Sequence, residues 1–112
     1  MTGLTTHVLD TAHGRPAVGV ALRLWHGGHL LFSGVTNEDG RCPGMLSGDE
    51  MKVGKYRLEF DVAGYFATLG VALPDPPFLD CVAIDFGVAD PDGHYHVPLL
   101  VSPFGYSTYR GS

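Results

Sequence analysis

Lys55-Tyr56-Arg57-Leu58-Glu59-Phe60-Asp61-Val62 alternates apolar and charged residues without a break. Tyr56, Leu58, Phe60 and Val62 point one way, and Arg57, Glu59 and Asp61 the other. That is the period-two pattern of a strand with one buried face. Upstream, residues 5–10, 18–25 and 30–36 read as strands by the same test, with a short strand near 44–46. Downstream, residues 79–89, 94–101 and 106–110 do so. Sixteen glycines and eight prolines punctuate the 112 residues. Turns fall at 14–17, at Asn37-Glu38-Asp39-Gly40, at 48–50, at Pro91-Asp92-Gly93 and at Ser102-Pro103-Phe104-Gly105. His26-Gly27-Gly28-His29 is a tight hairpin, because Gly-Gly supplies the positive φ of a two-residue turn. Residues 64–70 hold one or two helical turns. Pro74-Asp75-Pro76-Pro77 is an extended loop, since its prolines forbid helix and central strand alike. About eight short strands and little helix predict an all-β fold, a two-layer antiparallel β-sandwich with one short helix.

A chain of this length is a single domain, residues 1–112. It buries roughly 65% of its unfolded surface, enough for one core without metals or disulfides. The net charge is -5, with seven Lys and Arg residues scattered, which argues against a nucleic-acid partner, since that needs clustered positive charge. No apolar run approaches the roughly 20 residues of a membrane span. Residues 1–5 lack a basic region before an apolar core, so no secretory leader is expected and the cytoplasm is the default location. Cys42 and Cys81 read as free thiols.

Three stretches carry polar residues out of place. His7 sits inside the apolar strand Leu4-Thr5-Thr6-His7-Val8-Leu9-Asp10, where an imidazole is either a satisfied packing residue or a catalyst. Arg41 follows the turn glycine of Asn37-Glu38-Asp39-Gly40, where it is either solvated or a planar, multi-donor binder of a carbonyl or anion. Cys42 beside it invites a nucleophile reading, which the following Pro43 and the lack of accompanying thiol chemistry disfavour. In Asp92-Gly93-His94-Tyr95-His96-Val97-Pro98, strand geometry puts His94 and His96 on one face and Tyr95, Val97 and Leu99 on the other. His96 then points outward, on a face that continues into Pro98 and Leu100 and is expected to be covered by another subunit. Its unperturbed pKa of about 6.5 suits a proton carrier. A His-x-His pair with His7 added would also suit zinc, with a fourth position left for water. His26 and His29, flanking their turn, read as exposed.

The chain ends with an apolar stretch, residues 96–108, followed by Tyr109-Arg110-Gly111-Ser112. Left exposed, such a stretch is a sticky liability, so it is expected to pack. The segment 95–112 closely resembles the C-terminal signature of the 5-hydroxyisourate hydrolases, the transthyretin-related enzymes of urate breakdown. The strand at 4–10, the Asp39-Gly40-Arg41 turn, Gly14-Arg15-Pro16-Ala17 and Gly54-Lys55-Tyr56-Arg57-Leu58 resemble the same family.

The resemblance implies a prealbumin-like (transthyretin-like) sandwich and a homotetramer with sites between subunits. It implies that His7, Arg41, His96, Tyr109, Arg110, Gly111 and Ser112 converge on one pocket. The implied reaction opens the ring of 5-hydroxyisourate, a small purine-derived substrate, at a ring carbonyl. Its product is 2-oxo-4-hydroxy-4-carboxy-5-ureidoimidazoline. Water activated by histidine is expected, with no metal and no cofactor. The alternatives are a zinc hydrolase using His7, His94 and His96, and a transthyretin-like carrier. The Tyr-Arg-Gly-Ser ending, which the hormone-carrying transthyretins lack, argues for an enzyme.

Overall fold

The computed structural model describes residues 3–111. Among the described residues nine strands form: β1 (Gly3–Asp10), β2 (Arg15–Pro16), β3 (Ala21–His26), β4 (His29–Val35), β5 (Leu46–Ser47), β6 (Gly54–Asp61), β7 (Cys81–Val88), β8 (His94–Ser102) and β9 (Gly105–Thr108). One helix, α1 (Val62–Thr68), follows β6, and a 3-10 turn (Gly48–Glu50) follows β5. One sheet has the order β2-β1-β8-β9, with β5 also on β1; the other has the order β4-β3-β6-β7. The expected two-layer sandwich is what forms. Every pair is antiparallel except β1–β8, which run parallel. Parallel neighbours cannot be joined by a hairpin, and here the chain builds the whole second sheet between them.

The alternation of residues 55–62 predicts the core correctly up to Phe60. Tyr56, Leu58 and Phe60 meet Leu22, Leu24, Val82 and Ile84 of their own sheet and Val8, Leu99 and Val101 of the other. The strand then stops one residue early. The Asp61 carboxylate accepts a hydrogen bond from the Gly64 N–H at 3.0 Å, capping α1. Val62 therefore opens the helix, two residues before the expected 64, and is still buried. The second strand also starts late, at Ala21 rather than 18. Gly19 has φ +84°, and the buried Thr36 hydroxyl accepts from the Val20 N–H and donates to the Ala17 carbonyl. Arg15 and Pro16, expected as a turn, pair with Asp10 and Leu9 instead.

The strand β1 is pinned by two buried polar side chains. Thr6 Oγ1 donates to the Val97 carbonyl at 2.7 Å, tying β1 to β8. Asp10 Oδ2 accepts from the Tyr65 hydroxyl at 2.7 Å and pairs with His13 Nδ1 at 2.6 Å, while Oδ1 accepts from the His13 N–H at 3.0 Å. Burial pushes the Asp10 carboxyl up, but the hydrogen bonds from Tyr65 and His13 outweigh it and leave the group below its ordinary range. Burial and the Asp10 charge push the Tyr65 phenol up to about 12.

A carboxyl held lower in the folded than in the unfolded state stabilises the fold above its unfolded pKa. That contribution is lost as pH falls through the folded value. Asp10→Ala strands the Tyr65 hydroxyl and should cost about 2–3 kcal/mol in urea unfolding at neutral pH, with a smaller difference from wild type in acid. Equal stability of the two proteins at neutral pH would remove this cluster from the fold's supports.

Candidate active site

The parallel register of β1 and β8 sets Thr5 beside His96 and His7 beside Pro98. In β1, Leu4, Thr6, Val8 and Asp10 are buried, so Thr5 and His7 take the outer face, half-buried. In β8, Tyr95, Val97, Leu99 and Val101 are buried, and His94 and His96 take the same outer face. One sheet face thus carries Thr5, His7, His94 and His96 from neighbouring strands. The Thr5 hydroxyl oxygen lies 2.8 Å from His96 Nδ1 and 3.1 Å from His94 Nε2.

Arg41 reaches this face along the other edge of β1, where residues 46–47, 41 and 15–16 lie in turn. It forms a single antiparallel bridge opposite His7, which puts both side chains on one face. Its loop is built for that position. Asn37 Oδ1 accepts from the N–H groups of Asp39 and Arg41, at 2.9 and 3.1 Å, and the Asn37 N–H donates to the Arg41 carbonyl at 2.8 Å. Gly40 has φ +76°, and any Cβ there would strike the Val8 carbonyl oxygen. Only glycine lets the Asp-Gly-Arg turn lie this close to β1.

The tail arrives from the far side. The β8–β9 ladder pairs Leu99 with Thr108, and the bridge of His96 with Gly111 continues the same register. Between them, Tyr109 faces Pro98, which has no N–H to donate. That missing donor interrupts the ladder, so β9 ends at Thr108 instead of 110. Thr108 Oγ1 donates to the Pro98 carbonyl at 2.7 Å, and the Gly111 N–H donates to the His96 carbonyl at 2.8 Å. A Cβ at Gly111 would sit 2.5 Å from His96 Cδ2. Arg110 turns away from the outer face: its guanidinium lies 4.1 Å from the Tyr95 ring centroid and donates to the His94 carbonyl at 3.3 Å. Tyr109 is exposed in the single chain, as are Phe104 and Tyr106. Ser112 lies outside the described residues.

His7, Arg41, His96 and Gly111 are therefore brought together, and Arg110 clamps the tail by its own contacts. Thr5 is a residue that sequence reasoning missed. Its signal was parity: two positions before His7, it shares that residue's face. Burial pulls the His96 imidazole below its ordinary value, and the positive charges of Arg41, His7 and His94 pull it further. A mostly neutral imidazole at neutral pH can accept a proton, and Arg41 can face an oxygen that gains charge.

The ring centroids of His94 and His96 are 6.5 Å apart, and among the described residues no three His, Cys, Asp or Glu side chains converge to hold a metal ion. Cys42 is buried, and burial pushes its thiol up, away from the nucleophilic thiolate form. His26, expected to be exposed, stacks half-buried on Tyr56 at 4.1 Å. A cavity of about 140 Å³ beside the site is lined by Thr5, Thr6, Arg41, Cys42 and Pro43. A larger one, about 380 Å³, opens on the opposite sheet. Two of its lining carboxylates are already engaged, Glu59 by Trp25 and by Arg23 beside it and Asp85 by Arg57.

The model of the HIUase/Transthyretin family matches residues 4–111. The chain is 54% identical over 114 residues to 5-hydroxyisourate hydrolase 2 of Rhizobium meliloti, covering 97% of this chain and 95% of that protein. Among solved structures, 5-hydroxyisourate hydrolase of Klebsiella pneumoniae superposes with a TM-score of 0.86 at 37% identity, over the full length of both chains. (S)-allantoin synthase superposes with a TM-score of 0.94 at 44% identity; the match covers 99% of this chain but only 44% of that longer one.

The electrostatics make a direct prediction. His96 should titrate below the ordinary 6.5 when its ring protons are followed by NMR. Arg41→Gln removes a positive neighbour and should raise that titration. A His96 midpoint unmoved by Arg41→Gln would mean that the guanidinium does not act on the imidazole.

Proposed function

The chain belongs to the HIUase/Transthyretin family, and from that membership we propose that it is a 5-hydroxyisourate hydrolase. The observation that carries the proposal is the convergence of His7, Arg41 and His96 on one sheet face, with the tail bonded at Gly111 to the His96 carbonyl. The curated relatives and the Klebsiella pneumoniae structure bearing that enzyme's name support it.

In the proposed reaction, water adds to a ring carbonyl of 5-hydroxyisourate and the adjacent ring C–N bond breaks. The product is 2-oxo-4-hydroxy-4-carboxy-5-ureidoimidazoline, an early step of urate breakdown. One imidazole, His7 or His96, takes the proton from the attacking water. The other orients that water or protonates the departing ring nitrogen; in the first case the base itself hands its proton to that nitrogen, and in the second the two imidazoles exchange a proton through solvent, so protons balance over the cycle. Arg41 holds the substrate oxygens and stabilises the oxyanion as it forms. Tyr109 and Gly111 close the pocket, and Arg110, stacked on Tyr95, holds them there. No metal enters the scheme.

A sheet face is not a pocket by itself. We place the complete site in a cleft between subunits of a homotetramer. The exposed Tyr109, which the register sets opposite Pro98 on the site's face, supports this, because it needs a covering surface. Among the described residues no helix is long and apolar enough to cross a membrane. Cytoplasmic residence is part of the proposal, supported by the two free thiols, Cys42 and Cys81.

His7→Ala and His96→Ala should each lose about 10²–10⁴-fold in turnover while keeping the wild-type oligomer and secondary structure. In the wild type kcat/KM should fall as pH drops through the depressed His96 pKa, because the base is then protonated. Normal turnover in both variants would overturn the site.

A further inference from the structure

The Thr5 hydroxyl sits between two imidazole nitrogens, His96 Nδ1 at 2.8 Å and His94 Nε2 at 3.1 Å. A hydroxyl carries one hydrogen and two lone pairs, so it can donate to only one of the two rings. If it donates to His94 Nε2, it accepts from His96 Nδ1–H, and His96 Nε2 is left as a bare lone pair. If it donates to His96 Nδ1, it accepts from His94 Nε2–H, and neutral His96 then carries its hydrogen on Nε2. When the hydroxyl hydrogen goes to one ring the two hydrogen bonds are therefore correlated, and turning the C–O bond to the other ring goes with a tautomer change in both, each imidazole releasing a proton to solvent from one nitrogen and taking one from solvent at the other. The ring centroids stand 6.5 Å apart, so the hydroxyl provides a link that the rings do not make directly.

We propose that Thr5 is a positioning residue that sets the tautomer of His96, with His94 as the group that throws the switch. The inference rests on the reading of His96 as a proton carrier. When His94 is neutral, it can accept from Thr5, and His96 presents a lone pair at Nε2, the form that takes a proton from water. When His94 is protonated, both its nitrogens are donors. Thr5 then accepts from His94, and its one hydrogen is released for His96 Nδ1; when it is donated there, the His96 hydrogen moves through solvent from Nδ1 to Nε2, which turns Nε2 from acceptor to donor. A proton on His94 thus disables His96 as a base without residing on it.

The position of the hydroxyl is fixed by more than its own bonds. Thr5 lies opposite His96 in the parallel ladder, between the buried Leu4 and Thr6, and its β-branched side chain has few χ1 choices. Thr6 is tied to the Val97 carbonyl, so the register on either side cannot slip. The charges that bear on His96 are Arg41 and His7 from the β1 side and His94 along its own strand. Arg110 adds a further cation at the His94 carbonyl. Arg41, His7 and His94 oppose protonation of His96 itself, which makes control through its tautomer the more effective lever.

Thr5→Val removes the hydroxyl and keeps the shape; Thr5→Ser keeps the hydroxyl. The ring nitrogens of His96 are followed by NMR, and turnover of 5-hydroxyisourate is measured across pH. In the wild type, His96 should be Nδ1–H at high pH and shift toward Nε2–H as His94 protonates. Thr5→Val should lose this preference and lower kcat by about 10-fold or more, a part of what a positioned base supplies, with KM little changed. Thr5→Ser should restore both. His94→Gln gives a second test should Thr5→Val fail to fold: it cannot titrate, so the pH-linked change of His96 tautomer should vanish.

A Thr5→Val protein with wild-type His96 signals and wild-type kcat, beside an inactive His96→Ala, would overturn the relay and leave the site reading standing. So would a tautomer change that persists in His94→Gln. A fully active His96→Ala would instead overturn the site reading on which the relay depends.

Discussion

The parallel pairing of β1 with β8 is the constraint on which the rest depends. Strand side chains alternate with period two, so a slip of one residue between these strands would turn one strand's imidazoles into the core. The register is therefore held from inside. Thr6 bonds to the Val97 carbonyl, Thr11 bonds to the Val101 carbonyl through both its N–H and its hydroxyl, and Asp10 is locked by Tyr65 and His13. These groups touch none of the proposed chemistry. They fix the spacing at which Thr5, His7, His94 and His96 share a face.

Around that pair, the fold delivers two further pieces from opposite edges of the same sheet. Arg41 comes on a glycine turn that can approach β1 only because Gly40 has no side chain. The tail comes through a ladder that a proline interrupts and that Gly111 rejoins. The outcome is electrostatically lopsided. A chain of net charge -5 gathers Arg41, His7 and His94 about His96. The other sheet instead pairs its outward charges, Arg23 with Glu59 and Arg57 with Asp85. An imidazole surrounded by cations stays neutral more readily, which suits the task of accepting a proton.

Much of this was legible in the sequence because strand alternation is a strong signal. The faces of residues 55–60 and 94–99 followed from parity alone, and so did the outward direction of His96. The Asp-Gly-Arg turn followed from its residue types. What parity does not carry is which strands become neighbours, so the β1–β8 partnership and the role of Thr5 stayed hidden. Element ends failed where a single side chain intervened, as when Asp61 capped α1 or Thr36 took the Val20 N–H. Arg110 was grouped with the pocket because it belongs to the C-terminal motif. Its position opposite the buried Val97 sends it onto Tyr95 instead. The expectation that the apolar tail is covered is not met within the single chain, where Phe104, Tyr106 and Tyr109 remain exposed.

The most direct test of the account is the ultraviolet decay of freshly generated 5-hydroxyisourate, with and without untagged protein dialysed against EDTA. The account predicts fast, catalytic decay that survives the chelator, since histidines and an arginine perform the chemistry. Decay no faster than the spontaneous reaction would contradict the enzyme. Decay that EDTA abolishes and zinc restores would contradict the metal-free mechanism.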